Sequence, residues 1–556
     1  MAVQVPVGDE SFDEIRYSGL YYIDKTELIY DLFEKAKSKV TLFTRPRRFG
    51  KTLTMSMMES FFDINRDSRA VFEGLEVSKH EDFCLEWMNQ YPVLSISLKD
   101  VDGIDFESAY ITLQGVISDF CFMHPEIGDS KMVDPVDRST FELLKEKRLS
   151  PPEMKSSLKT IMRMMYTVYG KPVILLIDEY DVPLAKADEK NTIQNRYYEQ
   201  MLDVMKGMLS FSLKTNEYLK YAVITGCLRI AKESIFTGTN NFASYSVLDD
   251  RFSRYFGFTQ EEVDTLLAAA ERTDKAEIMK SWYDGYVFGS TFVYCPWDVV
   301  SYVSALLYDE SAVPKNYWRN TSSNGIIRDF VDHEDWGIPD KFELLMNGGS
   351  VTQTISDELT YDAIHESEQN LWSILLMTGY LTKSDSEEEG CTLRLRIPNT
   401  EIAGIFEETV VKLFTDELDT RSQKELMESL WKEDVQGAEK RLGDLLWETI
   451  SYNDYHEDYY HAFMAGLFVG LGYSVDSNKE SGLGRFDVRV KDRRNRRVMF
   501  IEAKKSDSQA KLGKDCDEAL KQIEDKGYAR ILEPGYEKCI CYGIAFFQKS
   551  AMIKKL

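Results

Sequence analysis

Three places in the 556-residue sequence hold residue types at spacings suited to phosphate chemistry. The first is the run Arg45, Pro46, Arg47, Arg48, Phe49, Gly50, Lys51, Thr52, and the second is the pair Asp178 and Glu179. The third joins Gly484-Arg485-Phe486-Asp487 to Ile501-Glu502-Ala503-Lys504. In the first, Gly50, Lys51 and Thr52 end the pattern G-x-x-x-x-G-K-[ST], with Arg45 where that pattern has its first glycine. Gly50 lets backbone approach a phosphate, Lys51 can reach the β- and γ-phosphates, and Thr52 can offer its hydroxyl to Mg²⁺. Asp178 is the expected Mg²⁺ partner and Glu179 the group that polarises an attacking water. In the third, alternation along a strand puts Glu502 and Lys504 on one face, and a neighbouring strand can bring Asp487 beside them. Two carboxylates so placed bind Mg²⁺, and the metal with an ammonium can acidify a water for attack on a phosphodiester.

Taken singly, each place also has an ordinary reading. A G-K-T tripeptide recurs by chance, two acids can simply end a strand in solvent, and an E-x-K strand can be an exposed ion pair. Their settings separate these readings. Val40–Thr44 is short, apolar and β-branched, and Leu53, Met57 and Phe61 follow at helical spacing, which predicts strand, loop, helix. The apolar run before Asp178 predicts a strand covered on both faces. With the strands expected at Pro92–Leu98 and Leu219–Thr225, alternating with helical stretches, it predicts a mainly parallel sheet with ligands at the carboxyl ends of its strands. Thr225 then either senses the γ-phosphate or caps a turn. Arg251 and Arg254 either reach the γ-phosphate, with Arg254 the one expected there, or pair with Asp249 and Asp250.

Farther along, Tyr460, Phe463, Met464, Leu467 and Leu471 predict a helix. Strands are expected at 473–477, 485–491 and 498–504, then a helix over 509–526 and a strand over 539–547. The order α-β-β-β-α-β is that of PD-(D/E)XK enzymes. Between the two chemistries, a helix near Leu371–Gly379 and a strand at Thr392–Ile397 read as connector, with their apolar stripe as core.

Size alone calls for two to four domains. A net charge of −26 excludes nonspecific coating of nucleic acid, so contact must be local, and the basic hairpin of Arg489, Lys491, Arg493, Arg494, Arg496 and Arg497 is its candidate. No stretch of about 18 apolar residues occurs and the first residues lack a secretory pattern, so no membrane association and a cytoplasmic location are expected. The eight cysteines lack zinc-site or disulfide-scaffold spacing and read as thiols in a reducing compartment.

Tyr21–Thr26, Thr44–Thr52, Leu176–Pro183, Ala231–Phe236 with Asn240 and Asn241, Phe256–Thr259 and Trp282–Tyr286, in this order, resemble the prokaryotic AAA-ATPase-like family. That family's loop reads R-P-R-R-F-G-K-[ST], which accounts for Arg45. Its members commonly end in a PD-(D/E)XK nuclease-like domain, and the resemblance continues through Tyr460-His461 and Ser477–Asp487. It implies an upstream acid, for which Glu457 and Glu480 compete, and a polar residue near nucleic acid at Gln522. His461 reads as a packing residue.

The expected fold is α/β. It has a P-loop NTPase domain with lid over 1–290, a mixed helical, winged-helix-like connector over 291–440 and an αβββαβ restriction-endonuclease-like domain over 441–556. The expected cofactors are ATP and Mg²⁺. The expected activities are ATP hydrolysis and a nuclease regulated by it, with DNA before RNA as partner and homo-oligomerisation left open. A nucleotide-switched scaffold or sensor that does not cleave is the alternative, and a role in genome defence or mobile elements would fit the pairing.

Overall fold

The computed structural model describes residues 3–189, 197–229, 241–318, 338–346, 348–356, 359, 367–384, 392–406, 420–449, 464, 468, 473–477, 480–481, 484–485, 488–492, 494–526, 536–548 and 550–556. It divides into two compact units, Met1–Ser322 with Ser350–Ile402, and Ser323–Gly349 with Ala403–Leu556.

The first unit is built on five parallel strands: β1 (Val40–Thr44), β2 (Val93–Ser97), β3 (Val173–Asp178), β4 (Leu219–Gly226) and β5 (Phe242–Tyr245). Every residue of β1 and β3 is buried, which is why both read as continuous apolar runs rather than alternating ones. The order across the sheet is β2-β3-β4-β1-β5. Because β4 lies between β1 and β3, its end is flanked by theirs. Thr44 pairs in register with Gly226, and Ile177 with Ile224. One face of the sheet packs on the helices Phe106–Met123, Ser157–Tyr169 and Tyr198–Leu213 through Leu42, Ile96, Leu175 and Ile177. The helix Ser157–Tyr169 ends at Gly170, whose φ of 67° is a glycine C-cap, and the chain then enters β3.

After the sheet come the hairpin β6 (Tyr286–Phe288) and β7 (Thr291–Val293), and the helix Pro296–Tyr308 with proline in its first turn. A small antiparallel sheet follows, made of β8 (Val351–Thr354), β9 (Thr382–Lys383) and β10 (Thr392–Arg396) in the order β8-β10-β9, with the helix Glu368–Thr378. Gly285 lies against this part at close range. A Cβ there would stand 2.0 Å from the Pro398 carbonyl oxygen, at a φ of +124° that only glycine adopts readily.

The second unit carries β11 (Ser474–Ser477), β14 (Val488–Asp492), β15 (Arg497–Lys505), β16 (Lys538–Phe547) and β17 (Ser550–Lys555) in that spatial order, plus the short pair β12 (Glu480–Ser481) and β13 (Gly484–Arg485). β15 and β16 run parallel, and the other pairs antiparallel. The helix Leu512–Lys526 supplies the crossover that a parallel pair requires. Strand β17 lies beyond the expected element order. It covers the outer edge of β16, pairing Ile544 with Ile553.

Both faces of β15 are covered. Val498 and Phe500 pack with Ile523, while Met499, Ile501 and Ala503 pack with Leu430, Leu442 and Leu446 of the helices Thr420–Trp431 and Val435–Thr449. The first of these helices lies in the expected connector and the second straddles its expected end at 440, and both pack within the second unit. Of the expected helix at 460–471, Met464 and Phe468 are described, and both are helical and buried.

Candidate functional site

At the end of β1 the chain turns through Arg48, with a φ of 71°, and Gly50, with a φ of 81°, into the helix Lys51–Phe62. The left-handed backbone at Gly50 sends Lys51 back over the loop. Its ammonium donates to the carbonyl oxygens of Arg45 and Pro46, both at 3.0 Å, and lies 3.7 Å from Cys227 Sγ. Burial works against its charge, but Cys227, Glu179, Asp178 and Asp181 outweigh that and hold the lysine above its ordinary pKa. Lys51 is therefore a fixed cation in a site with only 3% of its surface exposed.

Thr52, in the same helical turn, donates its hydroxyl to Asp178 Oδ2 at 2.8 Å. Thr225 donates to the other oxygen, Oδ1, and accepts from the Glu179 backbone N–H at 3.3 Å. The strand order therefore brings together Lys51, Thr52, Asp178, Glu179 and Thr225 from three strand ends. Glu179 has a φ of 51°, which turns the chain sharply after β3. Burial is the main cause that raises its carboxyl pKa. Lys51 and Arg47 oppose the rise, and Asp178 and Asp181 add to it.

In the second unit, Glu502 is fully buried at the end of the Val498, Phe500 stripe, and the Gln522 side-chain amide donates to its Oε1. Glu502 lies opposite Gly543 and Lys504 opposite Ala545 on β16. A Cβ on Gly543 would come 2.7 Å from the Cys516 carbonyl oxygen, so this glycine lets the helix Leu512–Lys526 lie close enough for Gln522 to reach Glu502. The ladder of β14 on β15 is described up to Val488 opposite Ile501. Asp487, next in sequence to Val488, lies outside the described residues, as do Glu457 and the side chain of Glu480. Among the described residues no three His, Cys, Asp or Glu converge as a metal cluster.

A family model described as Predicted AAA-ATPase matches residues 6–236, and one for the PD-(D/E)XK nuclease superfamily matches residues 455–556. The chain carries an AAA-ATPase-like domain followed by a PD-(D/E)XK nuclease-superfamily domain. It is 24% identical to a protein of Azotobacter chroococcum mcd 1 named "Uncharacterized protein in vnfD 5'region", over 99% of this chain and 98% of that one.

Within the AAA-ATPase-like domain the arginines of the phosphate loop have separate places. Arg45 is fully buried and donates to the carbonyl oxygens of Thr44 and Tyr245, at 2.8 and 2.9 Å. Its guanidinium lies over the rings of Phe256 and Phe288, 5.0 and 5.5 Å from their centroids. Burial pulls its pKa down to about 9, with Asp249 opposing. Arg48 donates to the Tyr317 carbonyl oxygen at 2.9 Å and stacks 4.0 Å from the Trp297 ring centroid. Arg47 is the one whose charge acts on Glu179. Phe49 is buried against Tyr286 and Phe288, and Pro46 against Gly379.

Arg254 stands at the end of the segment Asp249–Arg254. It donates to the Tyr255 hydroxyl at 2.9 Å, which in turn donates to Asp31, and it lines a separate pocket with Asp31, Lys35, Asp250 and Arg251. None of Lys51, Thr52, Asp178 and Glu179 lines that pocket. In the basic hairpin, Arg496 pairs with Glu537 and Arg497 with Asp492, so those two cations are partly neutralised.

Sequence reasoning missed Asp181. This buried carboxylate accepts the backbone N–H groups of Cys227 and Leu228, both at 3.0 Å, and so ties the turn after β3 to the end of β4. The clue was its place three residues beyond Asp178, but the contact is long-range. Gly226 makes room for it, since a Cβ there would meet Asp181 Oδ1 at 2.6 Å and the Tyr180 ring at 2.7 Å. Gly226→Ala is expected to destabilise the protein by about 1–3 kcal/mol through this overlap. Chemical denaturation checks this, and an unchanged midpoint would show that the turn yields without cost.

An apolar pocket of about 80 Å³ opens beside the loop, lined among others by Tyr21, Tyr22, Phe49, Leu53, Phe258 and Val300. The N-terminal tyrosines were known from the sequence only as part of a resemblance.

Proposed function

We propose that the AAA-ATPase-like domain binds and hydrolyses ATP, and that its nucleotide state controls a Mg²⁺-dependent phosphodiesterase in the PD-(D/E)XK domain. The observation that carries the first half is the Thr52–Asp178–Thr225 hydrogen-bond chain beside the buried Lys51. Hydroxyl and carboxylate oxygens are the hard donors that Mg²⁺ prefers, so Thr52 and Asp178 would hold it. The ion, when bound, neutralises phosphate charge. Lys51 orients the β- and γ-phosphates, its ammonium exchanging the loop carbonyls for phosphate oxygens. Backbone N–H groups from Arg47 to Lys51 complete the cradle, and the apolar pocket with Tyr21, Tyr22 and Phe258 receives the base. Glu179, kept basic enough by burial to accept a proton, orients the water.

In the PD-(D/E)XK domain, Glu502 with Asp487 would hold Mg²⁺, and Lys504 stands on the same strand face to position a water or the scissile phosphate. DNA is the proposed substrate, the exposed Arg494 being one steering charge. The second reading, a nucleotide-switched scaffold that holds nucleic acid without cutting, is favoured by one contact. Gln522 already occupies a Glu502 oxygen that a metal would need. A genome-defence or mobile-element role follows from the pairing of the two domains alone.

One assay separates these readings. The full chain is incubated with labelled DNA or RNA and Mg²⁺ or Mn²⁺, with and without ATP. Metal-dependent cutting that changes several-fold with ATP is the expected result. Equal rates in both nucleotide states would refute the control, and binding without cutting under every condition would select the scaffold.

A further inference from the structure

Asp298 and Glu401 are each about 1% exposed, and among the described residues no donor reaches Asp298 Oδ1, Asp298 Oδ2 or Glu401 Oε2. Each carboxyl group acts on the other, and two such groups bond to one another only with a proton between them. Asp298 comes from the first turn of the helix Pro296–Tyr308, and Glu401 from the helical stretch 400–406. Glu401 Oε1 accepts the Trp318 backbone N–H at 2.8 Å, and its own carbonyl oxygen accepts from the Asn316 amide at 3.3 Å.

The pair reaches the loop through Arg48. Cys295, beside Asp298, directs its sulfur at the Arg48 carbonyl oxygen at 3.8 Å. The Arg48 guanidinium and the Trp297 indole N–H both donate to the Tyr317 carbonyl oxygen, at 2.9 and 3.3 Å. The other titratable groups that act on the pair are Cys295, Tyr283, Tyr286 and Tyr317. All four are held in their neutral forms by burial. Arg48 is the cation whose charge acts on Asp298. One shared proton therefore leaves a single negative charge against a single positive one. Loss of that proton leaves two buried carboxylates in contact, which repel at short range in a poorly polarisable interior.

We propose that Asp298 and Glu401 share one proton and act as positioning residues for the phosphate loop, so that nucleotide affinity at Lys51 depends on that proton. The proposal rests on the nucleotide reading above. When the proton leaves, the two acids separate, the Tyr317–Trp297–Arg48 stack loses its support and the left-handed turn at Arg48 relaxes. The sign follows from burial, which raises both carboxyl groups, Asp298 adding further to Glu401. The folded state holds the proton more tightly than the unfolded chain. Its contribution is present at lower pH and is lost as pH rises through the folded-state value.

The test measures Mg²⁺-ATP affinity calorimetrically, and the tryptophan emission of the nucleotide-free full chain, from about pH 7 to about pH 11, since the Glu401 carboxyl is pushed up to about 10. Wild type is expected to lose affinity about tenfold across this range, with a matching emission change from Trp297 and Trp318. Glu401→Gln keeps a hydrogen bond and removes the titration. It is expected to hold neutral-pH affinity within about twofold and to flatten both profiles. Asp298→Asn is expected to do the same, so misfolding of one variant does not decide the matter. Emission profiles that coincide in wild type and both variants would overturn the shared proton. A flat affinity profile beside a titrating emission would overturn the positioning role. No ATP binding by wild type at any pH would overturn the nucleotide reading and with it the coupling, while emission would still judge the pair.

Discussion

Glu179→Gln is expected to leave ATP binding within a few-fold and to slow hydrolysis by about 10²–10⁴-fold, the range for loss of a general base. The side chain stands on a turn fixed by its φ of 51° and by its N–H bond to Thr225, and glutamine can keep both. The proton acceptor alone is removed. Because burial raises the Glu179 carboxyl, with Lys51 and Arg47 opposing, the acidic limb of the wild-type rate profile is expected above the ordinary carboxylate range. Below that limb the acid is protonated and cannot accept the proton. Lys51→Ala should act earlier, on binding. It removes the ammonium that bridges the two loop carbonyls and faces the phosphates, and no affinity for Mg²⁺-ATP should remain at concentrations that saturate wild type. Calorimetry and single-turnover hydrolysis separate the two steps. Unchanged turnover in both variants would sink the assignment.

The second large effect concerns β15. Glu502→Gln and Lys504→Ala should each lower metal-dependent cleavage by about 10²–10³-fold, typical of losing one preorganised charge in a water-poor site. Their effects on stability should differ in kind. Glu502 has no exposed surface, so its charge is costly there, and glutamine preserves the shape and a bond to Gln522. Thermal melting of Glu502→Gln should therefore equal or exceed that of wild type. Lys504 is partly exposed near the strand end, and its truncation should leave melting nearly unchanged. Inactive but fully stable variants would mark both residues as functional. Equal cleavage by wild type and both variants would instead reveal a contaminating nuclease.

Much of this was open to reading in one dimension. Val40–Thr44 is a strand with the expected bounds, and the strands ending at Asp178 and Gly226 lie within a residue or two of theirs. Runs buried on both faces must be apolar throughout, and glycine or proline must stand where the chain turns, so local composition records these elements directly. The placement of Gly50, Lys51 and Thr52 at a helix start is equally local. The C-terminal order was legible for the same reason, except for the short pair β12 and β13 and the last strand, β17. Its two closing lysines suit an edge strand, but they suit a solvated tail as well.

What the sequence by itself determined, then, is the identity and order of the elements and the chemical types at their ends. Tertiary structure alone decided which of those ends meet. The insertion of β4 between β1 and β3 brings Thr225 to one oxygen of Asp178 while Thr52 takes the other, an outcome of sheet order that no local pattern contains. The same limit applies to charge. Three arginines read alike along Arg45–Arg48, yet one is enclosed by Phe256 and Phe288, one acts on Glu179 and one is stacked on Trp297. Asp298 and Glu401 lie far apart in the chain and look unremarked there, as any two acids would. Their shared proton exists only because folding removes both from water and leaves each as the other's partner.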